Sequence, residues 1–455
     1  MKKVLIANRG EIAVRIIRTL KEMNIKSVAV YSTADKDSLH VALADEALCI
    51  GPPPSNESYL NIDRILTAAE ISKADAVHPG YGFLSETPEF AKRCEENGIT
   101  FIGPTSKIMQ KMGDKAEARS TMKEAGVPVI PGSDGVVDSL ESVRAVIKTI
   151  GYPVVIKAVS GGGGKGMRFV HDEASLEKSY KEAKKEAKNA FNDDRIYVEK
   201  YISKARHIEV QVVGDGNGGA VHLYERDCSI QRNNQKLIEE APAEILSGES
   251  RKFITETTRN AIAKLDYGGA GTVEYLYVEE EDEFYFIEMN TRIQVEHTVT
   301  EEITGVDIVR LQVEVALFNE LNISQRDINI NGFAIETRVN AEDPEKNFQP
   351  APGQIEMLHF SLGRGVRVDT AVYPGYKIPP NYDSMIAKVI VSGRDRPEAI
   401  NKMTHVLDET VIGPLKTNLD FQYYLMQHPN YIKNIVDIKF LQRNKIIEDQ
   451  EDKNA

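Results

Sequence analysis

Residues 154–170 read VVIKAVSGGGGKGMRFV, an apolar run with one lysine, a glycine-rich loop and a second apolar run. Gly161, Gly163 and Gly166 formally satisfy the dinucleotide-binding pattern, but a strand follows the loop where that motif requires a helix. The pattern therefore predicts a β-hairpin, and neither a Rossmann turn nor a Walker loop. Consecutive glycines let backbone N–H groups close over phosphate oxygens, and Lys157 would add a positive charge. A flexible turn with a lysine guarding a sheet edge has the same pattern.

The segments around the hairpin predict a small separate unit. A helix rich in Val and Ile precedes the first strand, and a long Lys/Glu/Ala helix and a final strand ending near Tyr201 follow the second. These elements contain enough apolar residues for a core of their own, so we expect an insert that can move independently.

The first ~110 residues predict an open α/β domain. Val4–Ala7 and Val28–Tyr31 are typical of buried strands, and the residues between them form a helical apolar stripe. The first turn, at residues 8–11, lacks the glycine fingerprint of dinucleotide binders, so a nicotinamide cofactor is not expected. The Gly/Pro loop at residues 78–86 is either functional or a simple connection.

A second hairpin carries two acidic residues. Gly271–Val278 and Phe284–Asn290 are predicted to pair as antiparallel strands, which places Glu274 beside Glu288. Two like charges so placed repel unless a cation lies between them, and oxygen ligands favour Mg²⁺ or Mn²⁺. A solvated charge pair is the alternative.

Residues 288–297 read EMNTRIQVEH and alternate polar and apolar side chains. In an extended backbone the polar residues share one face, namely Glu288, Asn290, Arg292, Gln294 and Glu296. Such a row suits a divalent cation, an anionic substrate and a general base. A charged sheet edge has the same pattern, and this stretch alone does not separate the two.

The bulk properties exclude several classes of protein. A chain of 455 residues predicts about two or three domains. The net charge of −13 argues against a general nucleic-acid binder and against a polybasic membrane-surface protein. The three cysteines lack the spacing of a disulfide framework or a zinc site; they are Cys49, Cys94 and Cys228. The sequence shows neither a signal-peptide pattern nor a run of ~20 apolar residues. We therefore expect a cytoplasmic protein.

Several long motifs together resemble a known family. The hairpin with Lys157, the segment Glu199-Lys200-Tyr201-Ile202 and the acids Glu274 and Glu288 are similar to ATP-grasp ligases. More specifically, the chain resembles biotin carboxylase over about Lys3 to Leu441. The motifs that carry this resemblance are NRGEIA at 8–13, HPGYGFLSE at 78–86, MGDK at 112–115, ERDCS at 225–229, EMNTRIQVEH at 288–297 and YDSM at 382–385.

The resemblance implies an α/β and α+β multidomain ATP-grasp fold. The expected parts are an N-terminal Rossmann-like (pre-ATP-grasp) domain at 1–113, a linker helix at 114–130 and a small mobile lid domain at 131–202. A C-terminal mixed domain at 203–447 and a charged tail at 448–455 complete the chain. ATP would lie between the lid and the C-terminal domain.

The family also implies ligand contacts, residue by residue. Lys115 and Lys157 would hold phosphates, with Gly163 and Gly164 closing over them. The adenine would contact Glu199, Lys200, Tyr201, Ile202 and Leu276. His207, Gln231 and Asn234 would line the ribose and phosphate side, and Glu274, Glu288 and Asn290 would bind two Mg²⁺ or Mn²⁺ ions.

The chemistry implied by the resemblance uses a second group of residues. Bicarbonate would lie against Lys236, Arg292, Gln294 and Val295, with Glu296 as the general base. Bicarbonate would attack the γ-phosphate to give carboxyphosphate, which breaks down to CO₂ and phosphate. Arg338 would stabilise the enolate of biotin.

Two features bear on the details. The family usually shows Gln-Arg-Arg-His-Gln-Lys where this chain has Gln231-Arg232-Asn233-Asn234-Gln235-Lys236, so the phosphate contact of a cationic histidine is in doubt at Asn234. No Met-Lys-Met occurs, and the nearest sequence, at residues 121–124, is predicted to be helical. We therefore expect the biotin on a separate biotin carboxyl carrier protein, with separate carboxyltransferase subunits.

The leading hypothesis is an enzyme, a ligase forming C–N bonds that carboxylates carrier-bound biotin in the first half-reaction of acetyl-CoA carboxylase. The family implies a homodimer with no nucleic-acid or membrane partner. Alternatives are the biotin carboxylase subunit of another acyl-CoA or urea carboxylase, another ATP-grasp ligase joining a carboxylate to an amine, and a non-catalytic nucleotide-binding subunit.

Overall fold

The N-terminal part of the chain forms a parallel sheet, as predicted. The computed structural model describes residues 2–160 and 166–447. The sheet has the order β3-β2-β1-β4-β5 with every pair parallel. Its strands are β1 (Lys3–Ile6), β2 (Lys26–Ser32), β3 (Glu46–Gly51), β4 (Ala76–His78) and β5 (Thr100–Phe101), and its helices are α1 (Gly10–Glu22), α2 (Leu39–Leu43), α3 (Ile62–Ser72) and α4 (Pro88–Glu96).

The order of this sheet reverses between β1 and β4, which places the ends of both strands at one crevice. Asn8, the second residue after β1, holds the loop that follows β4. Its side-chain amide donates to the carbonyls of Pro79 and Tyr81, both at 2.7 Å. The Gly/Pro loop at residues 78–86 is therefore fixed against the first turn of the chain at the position where open α/β sheets bind ligands.

A small second unit follows two connecting helices, α5 (Ser106–Gly113) and α6 (Lys115–Ala125). It contains α7 (Leu140–Ile150), β6 (Val154–Ala158), β7 (Met167–Val170), α8 (Glu173–Phe191) and β8 (Ile196–Lys200). Strand β6 is antiparallel to both neighbours in the order β7-β6-β8, so the predicted hairpin is confirmed. Apolar residues of all five elements form a separate core, as expected for an insert. Gly163 and Gly164 lie outside the described residues.

The largest sheet has eight antiparallel strands in the order β13-β12-β9-β10-β11-β14-β19-β18. The first elements of this region are β9 (Arg206–Asp215), β10 (Ala220–Arg232), β11 (Gln235–Ala241), α9 (Gly248–Lys264), β12 (Gly268–Val278), β13 (Glu283–Asn290), α10 (His297–Thr304), α11 (Ile308–Phe318) and β14 (Phe333–Asn340). The remaining elements are β15 (Glu342–Asp343), β16 (Gln349–Pro350), β17 (Met357–His359), β18 (Val366–Thr370), β19 (Met385–Gly393), α12 (Arg396–Glu409), β20 (Val411–Gly413), α13 (Leu419–Gln427), α14 (Pro429–Ile432) and α15 (Phe440–Arg443).

The central strands of this sheet alternate apolar and polar residues, although both faces are buried. On β9, Ile208, Val210 and Val212 belong to a hydrophobic core, whereas the intervening His207, Glu209 and Gln211 point to the opposite face. On β12, Val273 and Tyr275 join the same core while Glu274 points away. The fold thus places a row of buried polar side chains on one face of the sheet, where each needs a partner.

One expectation from the sequence is wrong. Residues 288–297 do not form one extended strand, because β13 ends at Asn290 and α10 begins at His297, with Glu296 as its N-cap residue at φ −80° and ψ 10°. The chain leaves the sheet after Asn290, where the backbone N–H of Thr291 donates to Glu86 at 3.0 Å instead of to a strand partner. The predicted charged tail at 448–455 lies outside the described residues, and no described helix is both long and apolar enough to span a membrane.

Candidate active site

The polar face of the large sheet centres on Lys236, near the start of β11. Its ammonium lies 3.0 Å from Glu274 Oε1 and 2.5 Å from Glu296 Oε1, and it also contacts Glu209. Burial lowers the pKa of Lys236, but the three carboxylates outweigh this and raise its pKa well above the ordinary value. One buried cation thus joins two strands and the start of α10.

Glu296 has a second cationic partner. The Arg338 guanidinium donates to Glu296 Oε2 at 3.0 Å and to Glu239 Oε1 at 2.6 Å. Burial raises the pKa of Glu296, but the charges of Lys236 and Arg338 lower it below its ordinary value. Glu239 differs, because burial and the charge of Glu296 raise its pKa to about 7. Glu296 is therefore ionised at neutral pH, as a general base must be.

Arg226 organises the floor of the site, a role that sequence reasoning did not assign. This fully buried side chain donates to Glu209 Oε1 at 2.5 Å, to Gln211 Oε1 at 2.8 Å and to Gln294 Oε1 at 2.7 Å. The sequence did contain a signal for this role, since Arg226 lies in the ERDCS motif on a strand that is buried on both faces. A buried guanidinium needs several hydrogen-bond acceptors around it.

The predicted acidic pair is confirmed as a cross-strand pair. Glu274 on β12 lies directly opposite Glu288 on β13, next to a bulge that shifts the register by one residue. Glu274 is buried and accepts from Asn290 Nδ2 at 2.8 Å and from Gln294 Nε2 at 2.7 Å. Burial raises its pKa, but Lys236 and His207 lower it far below the ordinary value.

These residues fit a divalent cation. Directly opposed carboxylates on paired strands repel each other. Glu288 is partly exposed, and the cation nearest to it is Lys115 at 3.7 Å. Two carboxylates and the amide oxygen of Asn290 are hard donors of the kind that Mg²⁺ and Mn²⁺ prefer.

Arg292 connects this cluster to the N-terminal sheet. Its guanidinium donates to Asn290 Oδ1 at 2.7 Å and to Glu86 Oε2 at 2.8 Å. Glu86 closes the Gly/Pro loop whose role the sequence left undecided. The contact places that loop at the site, so the functional alternative is favoured.

The expected adenine and phosphate residues form a second group at the small unit. Lys157 on β6 donates to Glu199 Oε2 at 2.6 Å, and Arg119 lies 3.6 Å from the same carboxylate. The Lys200 ammonium donates to the Tyr152 carbonyl at 2.9 Å. Tyr201 and Ile202 follow at the end of β8, where the chain passes from the small unit to the large sheet.

His207, Gln231 and Leu276 lie on the large sheet between the two groups. Leu276 is paired with His207 across β12 and β9. His207 Nε2 lies 3.0 Å from Glu274 Oε2, and although burial lowers the pKa of His207, the neighbouring carboxylates raise it to about 9. The Gln231 amide donates to the Cys228 carbonyl at 2.8 Å.

Asn234 occupies a tight turn. Asn233 and Asn234 form the two-residue connection between β10 and β11, with φ values of 51° and 63°. Such hairpin turns require positive φ at both central residues and favour Asn. Asn234 is exposed, so this departure from the family pattern fits the turn without disturbing the buried cluster.

A cavity of about 550 Å³ joins the N-terminal sheet to the large sheet. From the predicted site it includes Lys236, Arg292, Val295 and Arg338. The other walls carry three motifs noted in the sequence, through residues 8–12, 81–83 and 382–385. Lys115, Lys157 and Glu199 do not line it. The cavity therefore brings together four of the expected bicarbonate and biotin residues, whereas the expected ATP residues are divided between the small unit, α6 and the large sheet.

Comparison with known families covers nearly the whole chain. Residues 1–109 match the family "Biotin carboxylase, N-terminal domain", residues 114–324 match "Carbamoyl-phosphate synthase L chain, ATP binding domain", and residues 336–443 match "Biotin carboxylase C-terminal domain".

Individual proteins give the same result. Biotin carboxylase 1 of Bacillus subtilis is 51% identical over 442 residues, which is 97% of this chain and 98% of the relative. The structure of a biotin carboxylase–beta-gamma-ATP complex from Campylobacter jejuni is 50% identical with a TM-score of 0.92, covering 97% of this chain and 98% of the other. The biotin carboxylase domain dimer of Hydrogenobacter thermophilus 2-oxoglutarate carboxylase, bound to MgADP, ADP and bicarbonate, is 46% identical with a TM-score of 0.91 and 98% coverage of both chains.

Proposed function

The chain belongs to the biotin carboxylase family, and we propose that it carboxylates biotin on a separate carrier protein, using ATP, Mg²⁺ or Mn²⁺ and bicarbonate. The observation that carries this proposal is the cluster of Lys236, Arg338 and Glu296 at a cavity of about 550 Å³. The Hydrogenobacter relative binds bicarbonate and MgADP on the same fold, which supports the assignment of these ligands.

At the nucleotide end, Lys115 and Lys157 hold phosphates. Gly163 and Gly164, which the family pattern assigns to the same phosphates, lie outside the described residues. Glu199, Lys200, Tyr201, Ile202 and Leu276 surround the adenine, and His207, Gln231 and Asn234 border the ribose and phosphates. Support comes from the position of Lys157 on β6, directly opposite Met167 of β7 in the antiparallel hairpin. Residues 126–139 lead from α6 into the small unit, and residues 201–205 lead from β8 to β9, so two connecting segments without a helix or strand flank it, as the closing of a lid requires.

Glu274, Glu288 and Asn290 would hold the metal ions. Ions held by these residues would supply positive charge that neutralises the phosphates of the nucleotide. The cross-strand pairing of the two acids and their hard oxygen donors support this role.

Lys236, Arg292, Gln294 and Val295 bind bicarbonate, and Glu296 removes its proton. Lys236 and Arg338 are the cations that keep the pKa of Glu296 low. When bicarbonate takes up part of the Lys236 charge, the pKa of Glu296 rises toward the value that proton abstraction needs. The deprotonated oxygen attacks the γ-phosphate, and ADP leaves.

Carboxyphosphate then breaks at its C–O bond to CO₂ and phosphate. The phosphate takes the proton from the ureido nitrogen of biotin, and Arg338 stabilises the negative charge on the ureido oxygen while the nitrogen attacks CO₂. The position of Arg338 next to Glu296 in the cavity wall supports this role, since fixed charges aimed at developing anions lower barriers strongly.

We assign the activity to the first half-reaction of acetyl-CoA carboxylase, which supplies malonyl-CoA for fatty acid synthesis, with a biotin carboxyl carrier protein and carboxyltransferase subunits as partners. The alternative is that the chain serves another acyl-CoA carboxylase, a urea carboxylase or a 2-oxo acid carboxylase. The similarity to the biotin carboxylase domain of a 2-oxoglutarate carboxylase supports this alternative. The structure of that relative is a dimer, which supports a homodimer for this chain.

The test is the release of ADP from ATP by the purified chain, with bicarbonate and free biotin varied independently. We expect ADP release to require bicarbonate and to increase with biotin, with carboxybiotin formed in equal amount. Binding of ATP without bicarbonate-dependent ADP release would contradict the proposed function. Incubation with candidate biotinylated carriers then identifies the partner.

Arg338→Ala gives a sharper test of the assigned chemistry. We expect biotin carboxylation to fall by about 10²-fold or more, because a fixed charge on the enolate is lost. Slow ATP cleavage that depends on bicarbonate but not on biotin should fall much less, since no enolate forms in it. Both rates are measured on the same variant, and equal losses would remove Arg338 from the role.

A further inference from the structure

Lys388, on β19, is a buried cation that the proposed mechanism does not use. Its side chain is fully buried, and its ammonium donates to the Val295 carbonyl at 2.7 Å. It lies directly opposite Arg338 on the paired strand β14, so both side chains project from the same face of the sheet. Lys388 therefore reaches the segment between β13 and α10 from beneath.

The same ammonium reaches the N-terminal sheet. It lies 3.5 Å from Glu11 Oε1, near the start of α1, and Glu11 accepts a hydrogen bond from the Tyr81 hydroxyl. Glu11, Tyr81 and Val295 all line the cavity, although they come from three separate segments. Lys388 thus joins two opposite walls of the cavity through one buried charge.

A simple counter-ion role does not account for this geometry. Asp369, the cross-strand neighbour of Lys388 on β18, already receives two hydrogen bonds from Arg367, at 2.9 and 2.8 Å. Glu336, on β14, accepts from the Thr298 hydroxyl. The contact at hydrogen-bond distance is to the neutral carbonyl of Val295, whereas Glu11 lies farther away, so the ammonium is placed to hold a backbone group.

That backbone group is the peptide between Val295 and Glu296. Holding its carbonyl orients the residue that faces bicarbonate and the residue that acts as base. Small displacements of such groups slow a reaction strongly, because the reacting atoms must lie within a narrow range of distance and direction.

We propose that Lys388 is a positioning residue that fixes the bicarbonate wall of the cavity at Val295 and Glu296 against the cavity wall formed by Glu11 and Tyr81. The proposal rests on the proposed function, whose residues it orients. Lys388 itself touches neither substrate.

The test compares wild type with Lys388→Met and with the double variant Glu11→Gln/Lys388→Met. The single variant leaves the Glu11 carboxylate buried without its cation, so a fall in melting temperature is expected. The double variant removes both charges and should recover most of that loss, while the Val295 carbonyl still lacks its donor. Lys402→Met is the matched control, because Lys402 also donates to a backbone carbonyl, that of Ser392, and does not line the cavity.

Both Lys388 variants should raise the bicarbonate KM by roughly tenfold or more and lower kcat, with the ATP KM within about twofold of wild type. Lys402→Met should keep its bicarbonate KM within about twofold of wild type. If Lys388→Met does not fold, the double variant carries the same test. A double variant with restored melting temperature and a wild-type bicarbonate KM would overturn the proposal. Failure of wild type to carboxylate biotin in the same assay would instead contradict the proposed function.

Discussion

Lys157 in the small unit and Lys236 in the large sheet are both expected to hold an anionic group, but they are paired very differently. Lys157 contacts the Glu199 carboxylate and is 24% exposed, whereas Lys236 contacts three carboxylates and is 11% exposed. Glu199 has a second cation in Arg119, so it does not depend on Lys157. Glu209, Glu274 and Glu296 share Lys236, and each also has a second cation, Arg226, His207 and Arg338 respectively, so Lys236 links three buried ion pairs.

The difference separates two ways of building an anion site. A buried cation with several acids is held rigidly, and its removal leaves uncompensated charges in the interior. A partly exposed cation paired with one acid can change partners at a small cost in free energy, which suits a unit that opens and closes. We therefore expect a substitution of Lys236 to reduce both stability and activity. A substitution of Lys157 should reduce ATP binding with little effect on stability.

Lys236→Met should have the largest effect. Arg226, His207 and Arg338 still pair with the three carboxylates, but the buried cluster loses one positive charge, so we expect a loss of about 3–5 kcal/mol in the free energy of unfolding. Biotin carboxylation should fall by about 10³-fold, since the variant also loses the charge that holds bicarbonate. Thermal melting and single-turnover carboxybiotin formation measure the two effects, and unchanged stability would remove the distinction between the two lysines.

Lys157→Met should raise the ATP KM by roughly tenfold. We expect it to reduce stability by less than about 1 kcal/mol, because Lys157 is partly exposed and the buried Glu199 keeps Arg119 as a second cation. Lys148→Met is the control, since Lys148 is an exposed lysine on α7 of the same unit. Steady-state ADP release and melting curves provide the measurements. A stability loss as large as that of Lys236→Met would show that the Lys157 ion pair contributes as much to folding stability as the Lys236 cluster.

Glu239→Gln tests the buried cluster through pH. The folded-state pKa of Glu239 is raised to about 7 by burial and by Glu296, above the unfolded value near 4.5. The folded protein therefore binds more protons than the unfolded chain between these values, and this residue makes stability fall as pH rises from 4.5 to 7. The neutral variant lacks that fall, so its melting temperature relative to wild type should increase between pH 5 and pH 8.

Glu280→Gln is the control for this pH experiment. Glu280 is exposed and paired with Lys204 at 2.6 Å, which lowers its pKa. A carboxylate with a lowered pKa contributes stability that is lost only as pH falls below the ordinary range, so this variant should parallel wild type between pH 5 and pH 8. Parallel curves for Glu239→Gln as well would contradict the raised pKa.

The parts of the molecule that the sequence predicted depend on local patterns. The β6–β7 hairpin follows from two apolar runs around a glycine loop, and the pairing of Glu274 with Glu288 follows from one short turn. The first parallel unit, β1-α1-β2, was likewise predicted from the pattern of apolar and polar residues over about thirty residues. In each case the partners are close in the chain, so alternation and turn chemistry are sufficient.

The rest depends on contacts between distant segments, which one sequence does not reveal. Arg226 meets Gln294 across 68 residues, Lys388 meets Val295 across 93, and Arg292 meets Glu86 across 206. The same contacts explain why the predicted strand through Glu296 was wrong. Alternation extends to Glu296, but Glu86 and Lys388 bind the backbone after Asn290, where the chain turns into α10.

Asn234→His should have the smallest effect and tests whether the exposed rim joins the nucleotide end. It restores the histidine that the family usually shows, and a cationic imidazole near the phosphates should lower the ATP KM by about two- to threefold at pH 6 and less at pH 8.5. Positive φ at this turn favours Asn, so we also expect a loss of a few tenths of a kcal/mol in stability. Asn233→His is the matched control, because it has the same backbone cost at φ 51° without occupying the family's histidine position. If both variants change the ATP KM equally, Asn234 does not border the phosphates, and the nucleotide end is confined to the buried sheet and the small unit.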